Sequence, residues 1–266
     1  MAQASIIQTL AELEANGQAG VLCTIIETNG STPRHEGSKM LVFADGSFTG
    51  TIGGGEIENR IREIAMQALK DGKSRVLRYN MIDPSRGDPG VCGGTVEVFV
   101  EPFLPQPTLV VVGGGHVGKA VAHLAHWLGF RVAVSDDRPE FCTPEANPDA
   151  DMFYPVPMAE LPAQMQINPY TYFVLTTRGS AVDVAGLPAL LASEAPYIGV
   201  IGSRRRWVTT RKALLDAGVP EEQLKRVISP MGLELNAETP EEIAVSILAE
   251  IIMLRNAGTG KSMDIE

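Results

Sequence analysis

The clearest pattern of hydrophobic and polar positions lies in the middle of the chain. Residues 108–112 are a short apolar, β-branched run, which is typical of a strand buried on both faces. Residues 119–128 carry apolar side chains at helical spacing and are followed by Gly129, a residue that commonly ends a helix. Residues 131–135 are again apolar and alternate little. The order strand, helix, strand predicts a βαβ unit within a parallel sheet.

Glycines join the first of these strands to the helix. The six residues GGGHVG fit G-x-G-x-x-G, and Asp136 ends the second strand at the distance where an acid meets a ribose hydroxyl. In such a loop Gly113 allows a sharp turn, Gly115 allows a pyrophosphate to approach and Gly118 allows close helix packing. The helix start at His116 would offer unpaired N–H groups to phosphates. The alternative is a βαβ unit whose glycines serve packing only, because fold does not fix function.

The pattern predicts further elements on both sides of this unit. Before it we expect a helix capped by Ser5, strands at 21–27, 39–43, 48–52, 75–79 and 95–101, and a helix at 57–70. After it we expect strands at 170–175, 197–201 and 226–229, and a long helix that Thr239 caps and that runs through Arg255.

These elements predict an α/β protein of two domains. We expect a mixed α/β N-terminal domain at 1–104, a proline-rich linker at 105–107, a Rossmann-like, doubly wound parallel-sheet domain at 108–258, and a tail at 259–266.

A second glycine-rich junction lies in the N-terminal domain, where Gly53, Gly54 and Gly55 separate a strand from a helix. Three glycines at a helix start suit an anion or a flat ligand that approaches the backbone. They equally suit a tight turn that requires positive φ angles. Glu58, one turn into the helix, is either a ligand-facing carboxylate or an acid favoured by the helix dipole.

Cys92 is the most suggestive single residue. It lies in an irregular loop at 83–94 and is followed by Gly93 and Gly94. A thiol on an open glycine loop is a candidate soft-metal ligand, nucleophile or sulfur carrier, and the alternative is a buried loop cysteine. It has no partner nearby in sequence that would suggest zinc or an iron–sulfur cluster. Cys23, inside a strand, is interpreted as a small core residue.

Polar residues also follow two later strands, at the edge where open α/β sheets bind ligands. Thr177 follows the strand at 170–175, and Ser203 with Arg204 follows the strand at 197–201. The arginines at 204–206 could hold phosphates or carboxylates, or form a solvated helix face.

Composition narrows the class of protein. The 266 residues are 44% hydrophobic and 20% charged, which is typical of a globular protein with a real core. The formal net charge of −10 argues against a nucleic-acid partner, and no apolar run is long enough to span a bilayer. Three widely spaced cysteines suit reduced thiols, so we expect a cytoplasmic protein.

Seven short segments together resemble the XdhC/CoxI family of xanthine dehydrogenase accessory factors. They are residues 30–34 (GSTPR), 50–55 (GTIGGG) with Glu58, 91–94 (VCGG), 115–118 (GHVG), 136–139 (DDRP), 198–203 (IGVIGS) and 239–244 (TPEEIA). The resemblance covers nearly the whole chain.

The resemblance implies an accessory protein rather than a catalyst. Such a protein would bind the molybdenum cofactor, as molybdopterin or its dinucleotide form, support its sulfuration, and insert it into an apo molybdenum hydroxylase. A cysteine desulfurase would be a further partner, and a homodimer is expected.

The same resemblance assigns site residues. Cys92, with Gly93 and Gly94, would contact the molybdenum or its sulfur. The pterin or its phosphate would lie against Gly53, Gly54, Gly55, Glu58, Ser31, Thr32 and Arg34. A nucleotide, whether NAD(P), another nucleotide or the dinucleotide form of the cofactor, would contact Gly113, Gly115, His116, Gly118, Asp136, Arg138, Thr177, Ser203 and Arg204.

Two other functions compete with this interpretation. One is an NAD(P)-dependent oxidoreductase that uses the Rossmann-like domain, although its loops offer no convincing proton-donor pair. The other is a sulfurtransferase in which Cys92 carries a persulfide. The chain also departs from many relatives, which carry a histidine shortly after the position of Thr177. Its absence argues against a metal or acid–base role for that loop.

Overall fold

A computed structural model describes residues 5–82 and 92–264 of the chain. The chain divides into two compact units, Met1–Pro105 and Gln106–Glu266. Most of the predicted loop at 83–94 lies outside the described residues, so Cys92 is the first residue of its described end.

The first unit is an antiparallel sheet with two helices. Its elements are α1 (Ile6–Ala15), β1 (Gly20–Asn29), β2 (Lys39–Phe43), β3 (Phe48–Gly50), α2 (Gly55–Asp71), β4 (Arg75–Asn80) and β5 (Thr95–Phe103). The strand order is β3-β2-β1-β5-β4. Helix α2 contributes Ile57, Ile61 and Ala65 to a core against alternate residues of β1, β2 and β5, as its 3.6-residue apolar period requires.

The second unit is a parallel sheet with helices. Its strands are β6 (Thr108–Val112), β7 (Arg131–Ser135), β8 (Met152–Tyr154), β9 (Thr171–Leu175), β10 (Tyr197–Val200) and β11 (Val227–Ile228). Its helices are α3 (His116–Trp127), α4 (Leu161–Gln164), α5 (Ser180–Leu191), α6 (Arg204–Asp216), α7 (Glu221–Leu224) and α8 (Pro240–Arg255).

The strand order in the second unit is β11-β10-β9-β6-β7-β8. The chain therefore builds outward from β6 in one direction and then, from β9 onward, in the other. The switch point between β6 and β9 is where open α/β sheets bind ligands. Separate buried clusters occupy the two faces of this sheet, because its strands are apolar on both sides. The predicted Rossmann-like architecture is confirmed.

Several element bounds differ from prediction. The strand expected at 48–52 ends at Gly50, whose φ of 83° breaks the extended backbone. The helix expected at 119–128 begins at His116, directly after the glycine loop. The three-residue strand β8 was not predicted, because its partly buried MFY segment is too short to show a period. Among the described residues no helix is both long and apolar enough to cross a bilayer.

Candidate functional site

The glycine junction of the first unit, residues 53–55, is called the strap below, and it has open space on one side. Gly53, Gly54 and Gly55 have φ angles of 143°, 78° and 65°, which is the conformation that glycine adopts more readily than other residues. Binding of an anion or a flat ligand at this junction stays a prediction. A Cβ added to Gly54 or Gly55 would meet no atom within 4 Å. The first N–H groups of α2 at this strap therefore lie beside space that a ligand could occupy.

The side chain of Glu58 holds the strap and the residues before it through hydrogen bonds. Its side chain is buried, and Oε1 accepts hydrogen bonds from the Thr51 hydroxyl at 2.6 Å, the Gly54 amide at 2.9 Å and the Ile52 amide at 3.1 Å. Burial opposes the charge, but these hydrogen bonds outweigh it and lower the pKa of Glu58. Glu58 therefore combines the first-turn position with a role that sequence reasoning missed, as a carboxylate that fixes the loop.

Two other predicted segments lie against the same junction. A Cβ added to Gly53 would come within 3.0 Å of Pro33 Cγ, so the turn at 31–34 borders the strap. A Cβ added to Gly94 would overlap the Ser31 carbonyl oxygen, so the backbone that follows Cys92 packs on the start of that turn. The three segments that the family resemblance singles out thus share one region of the first unit.

Cys92 stands at the edge of this region. It is exposed, whereas Cys23 and Cys142 are buried. The backbone beside it is anchored, because the Gly93 amide donates to the Met81 carbonyl at 2.6 Å and the Met81 amide donates to the Gly94 carbonyl at 2.8 Å. Burial raises the pKa of the Cys23 thiol to about 12, so Cys23 is an inert core residue as predicted.

Arg34 is the cation of the region. Its side chain is exposed and forms no ion pair with any residue that the structure describes. The Thr32 hydroxyl donates to the Arg34 carbonyl at 2.9 Å, which holds the turn, and Ser31 is exposed beside it. A guanidinium with no ion-pair partner among the described residues suits a phosphate.

In the second unit, some glycines of the loop between β6 and α3 are tightly packed, and one has open space beside it. Gly113 has a φ of 111°, and a Cβ there would lie 2.6 Å from the Thr176 carbonyl oxygen. A Cβ on Gly118 would overlap the Gly113 carbonyl, so the helix sits directly on the loop. Gly115 has open space around its Cβ position. This geometry fits the separate tasks expected of the three glycines.

Asp136 is buried behind the loop and its two carboxylate oxygens already have partners. Oδ2 accepts from the Gly114 amide at 3.0 Å, and Arg138 donates to Oδ1 from Nε at 2.9 Å and to Oδ2 from Nη2 at 2.8 Å. The hydrogen bonds to Asp136 raise the pKa of Arg138, whose guanidinium also stacks 4.0 Å from the centre of the Phe141 ring. Contact between Asp136 and a ribose stays a prediction.

Asn147 holds the loop from the other side and was missed by sequence reasoning. Its Nδ2 donates to the carbonyls of Phe141 at 2.8 Å and Gly114 at 3.3 Å. Asn147 stands alone in a loop far from the glycines in sequence, and no motif marks it.

The arginines at 204–206 differ in exposure, and one of them contacts Thr177. Arg206 turns inward, donates to the Thr177 hydroxyl at 2.8 Å and pairs with the buried Asp183 at 2.6 Å, while the Thr177 hydroxyl also bonds Asp183. Ser203 caps α6 by accepting from the Arg206 amide at 3.2 Å. Arg204 is exposed, so it belongs to the solvated part of the helix start.

A cavity of about 270 Å³ opens at the carboxyl edge of the second sheet. Its lining residues come from the ends of β6, β7 and β9, from the segment after β8, and from α5. They are Val112, Gly113, Ser135, Asp136, Asp137, Arg138, Val156, Pro157, Met158, Ala159, Thr177, Arg178, Ala181, Val182, Ala185 and Gly186. The described residues contain no group of three or more His, Cys, Asp or Glu arranged to hold a metal ion.

Family models match both units. The XdhC Rossmann domain matches residues 109–251, and the XdhC and CoxI family model matches residues 13–80. The chain belongs to the XdhC and CoxI family. The resemblance given by the short motifs is therefore confirmed.

Individual relatives share much of the chain. It is 35% identical to uncharacterized protein YqeB of Escherichia coli K12, over 97% of this chain and 48% of that protein. It is 35% identical to a probable xanthine dehydrogenase component of Bacillus subtilis 168, over 60% of this chain and 47% of that protein. The chain thus spans about half the length of these two relatives.

Two further similarities extend over most of both chains. Molybdenum cofactor insertion chaperone PaoD of Escherichia coli K12 is 23% identical, over 94% of this chain and 88% of PaoD. The crystal structure of a xanthine dehydrogenase from Bacillus halodurans superimposes with a TM-score of 0.51 at 24% identity, covering 98% of each chain. The latter similarity supports the fold.

Proposed function

We propose that this family member is an accessory protein that binds the molybdenum cofactor, supports its sulfuration and helps to insert it into a xanthine dehydrogenase-type hydroxylase. One observation carries the proposal: in the first unit the turn at 31–34 contacts both the strap at 53–55 and the backbone beside exposed Cys92. The names of two relatives, a cofactor insertion chaperone and a probable xanthine dehydrogenase component, support it.

The residues suit this cargo chemically. A thiolate is a soft ligand of the kind that binds sulfur-rich metal centres. Exposed Cys92 would therefore contact the molybdenum or its sulfido ligand. Arg34 and the Gly55 amide would hold the phosphate end, because a cation and a helix start both favour anions. Glu58 would keep the strap in this conformation.

The partners follow from the same proposal. An apo molybdenum hydroxylase would receive the cofactor, and a cysteine desulfurase would supply the sulfur. We also propose that the protein acts as a homodimer.

An oxidoreductase finds less support. Among the described residues that line the cavity of the second unit there is no His, Lys, Tyr or Cys, and the two carboxylates of the lining, Asp136 and Asp137, are each paired with an arginine. No group there is therefore placed to move a proton beside a bound nicotinamide. The cavity itself suits binding rather than proton transfer.

The decisive experiment measures cofactor binding. The protein is purified without oxygen and mixed with released molybdenum cofactor, and bound molybdenum and pterin are measured for wild type, Cys92→Ala, Arg34→Ala and Cys142→Ala. We expect stoichiometric binding by wild type and by Cys142→Ala, which alters a buried thiol of the second unit. Loss of at least about tenfold in affinity is expected for Cys92→Ala and Arg34→Ala.

Two results would contradict the proposal. The first is absence of bound pterin on the wild-type protein. The second is equal binding by Cys92→Ala and wild type, which would remove the thiol from the site. Transfer of the bound cofactor to an apo hydroxylase, followed by recovery of its activity, then tests the insertion step separately.

A further inference from the structure

Helix α8 is apolar around most of its circumference, although one side of it faces solvent. Its inner side packs on the parallel sheet through Ile247 and Ile251. Its outer side carries Val245, which is 49% exposed, and half-buried Ala249 and Ile252, at spacings of four and three residues. Helix α2 of the first unit, by contrast, has a polar outer side. A helix that is apolar on all sides is normally covered on all sides, so the outer side of α8 indicates a further partner.

Helix α3 lies beside α8 and extends this apolar surface. The two helices run in the same direction, because a cleft of about 480 Å³ is lined by residues from the first turns of both, and the Arg255 guanidinium at the far end of α8 lies 5.2 Å from the centre of the Phe130 ring, just past the end of α3. Trp127 of α3 is 77% exposed, and Trp is enriched among the residues that dominate protein interfaces. The surface formed by both helices, called the α3–α8 face below, consists of Ala120, Leu124, Trp127, Val245, Ala249 and Ile252.

The two ends of α8 carry opposite charges. Glu241 lies in the first turn and Arg255 in the last, and neither forms an ion pair with another described residue. If two copies of α8 lie antiparallel, the acidic end of each meets the basic end of the other, and Val245 of one copy lies level with Ile252 of the other. Complementary charges of this kind select the partner and fix its orientation. The charges therefore favour a second copy of this chain as the partner.

The shape of the α3–α8 face is also complementary to itself. A two-fold axis that makes the α8 helices antiparallel makes the α3 helices antiparallel as well. Trp127, at the end of α3, then meets the first turns of the second copy, where the cleft is lined by the small side chain of Ala120. The interface of a two-fold dimer must carry complementary features on a single surface. The α3–α8 face carries a protruding ring and a cleft, and an acid and a base.

We propose that the α3–α8 face is the interface of a two-fold symmetric dimer, in which α8 packs antiparallel on α8 of the second copy and Trp127 of each copy enters the cleft of the other. This inference rests on the homodimer proposed above, and it adds the surface, the orientation and the residues through which that dimer forms.

The first test measures the mass of the full chain in solution over a range of concentrations, by light scattering after size-exclusion chromatography. Val245→Glu places a charge on the α3–α8 face. Val208→Glu is the matched control, because Val208 is 67% exposed on α6, whose buried side belongs to the core on the other face of the sheet. We expect Val208→Glu to dimerise like wild type. Val245→Glu should raise the dissociation constant at least about a hundredfold, because each dimer buries the unpaired charge twice, while its circular dichroism spectrum stays unchanged.

Charge reversal tests the antiparallel orientation. Glu241→Arg and Arg255→Glu should each weaken the dimer at least about fivefold, because each places like charges opposite one another. The double variant restores opposite charges across the interface, so it should dimerise more tightly than either single variant. A merely structural role of either residue would not produce this rescue.

Fluorescence tests the position of Trp127. The chain has two tryptophans, so Trp207→Phe leaves Trp127 as the reporter. Its emission should shift to shorter wavelength as the protein concentration rises through the dissociation constant, because the ring leaves water. An emission that does not change while the dimer forms would remove Trp127 from the interface and overturn the inference.

Three further outcomes would overturn it in distinguishable ways. A wild type that stays monomeric at about 100 µM would remove the homodimer together with its interface, and the α3–α8 face would then fit a different protein. A dimer whose dissociation constant is unchanged in Val245→Glu would keep the homodimer but place its interface elsewhere. A double charge reversal that dimerises no better than the single ones would exclude the antiparallel orientation. These measurements contain no molybdenum cofactor, so their result is separate from that of the cofactor-binding experiment.

Discussion

The two units contain glycine-rich strand-to-helix junctions that hold their shape by different means. In the first, all three consecutive glycines have positive φ, and the fixing carboxylate of Glu58 comes from the helix that follows. In the second, Gly113 alone of the three glycines at 113–115 has positive φ, and the fixing carboxylate of Asp136 comes from the neighbouring strand.

The two carboxylates also differ in charge compensation. Asp136 is neutralised by two hydrogen bonds from Arg138, whereas no described cation pairs with Glu58, which relies on amide and hydroxyl donors. A glycine-rich sequence thus predicts a strand-to-helix junction, but it does not predict which side chain stabilises that junction. The carboxylate that fixes the first loop is local in sequence, and the one that fixes the second is 22 residues away.

The largest expected effect on stability comes from a glycine whose Cβ position is occupied by a neighbouring atom. Gly118→Ala would push a Cβ into the Gly113 carbonyl, which belongs to the backbone and cannot rotate away. We expect a loss of about 3 kcal/mol in the free energy of unfolding, measured by denaturant titration. A loss below about 1 kcal/mol would show that α3 can shift off the loop, and that the close contact is dispensable.

The next effect tests the carboxylate of the first junction. Glu58→Ala leaves the Ile52 and Gly54 amides and the Thr51 hydroxyl without their acceptor. We expect a loss of about 2 kcal/mol in the free energy of unfolding. Glu56→Ala is the matched control, because Glu56 is an exposed acid of the same helix turn and its described ion pair is with half-buried Arg60.

That control should change stability by less than about 0.5 kcal/mol. Equal losses for the two variants would mean that any acid at this helix start stabilises it through the dipole, and that the loop does not depend on the Glu58 hydrogen bonds.

The pH dependence of Glu58 gives a third, smaller effect. Its pKa is lowered in the folded state, so the carboxylate stabilises the fold above the ordinary glutamate pKa of about 4.3 and loses this contribution as the pH falls through its lower folded value. Wild type should exceed Glu58→Gln by about 1 kcal/mol at pH 7.

The difference between wild type and Glu58→Gln should shrink steadily below about pH 4.3. Denaturant titrations of both proteins across this range measure it. A difference that stays constant with pH would indicate that the amide differs in shape rather than in charge.

The sequence predicted what depends on local periodicity and glycine spacing. The bounds of β6 and β7, the capping box of α8 and the order of the Rossmann-like unit all follow from short segments. The proximity of the turn at 31–34 to the strap at 53–55 could be expected from the family resemblance but not from periodicity, because it depends on how strands pair across the sheet.

Long-range polar contacts could not be predicted. Asn147 and the Asp183–Arg206 pair act through partners that are distant in sequence, and each looks like an ordinary surface residue in its own segment. Arg206 illustrates the difficulty, because Arg204 and Arg205 are exposed while Arg206 turns inward, and only the fold decides which arginine does so. The pairing of Asp137 with Arg178 was hidden for the same reason.

The substitution with the smallest expected effect on stability, Gly115→Ala, tests whether the second junction binds a phosphate. Gly115 has an ordinary φ of −73° and open space at its Cβ position, so Gly115→Ala should change the free energy of unfolding by less than about 0.5 kcal/mol. If the glycine is there to let a phosphate approach the backbone, the added methyl group should nevertheless weaken nucleotide binding about tenfold. Calorimetry of Gly115→Ala beside wild type measures this. A variant that is both stable and unimpaired in binding would leave Gly113 and Gly118 as packing glycines and would place any bound phosphate away from Gly115.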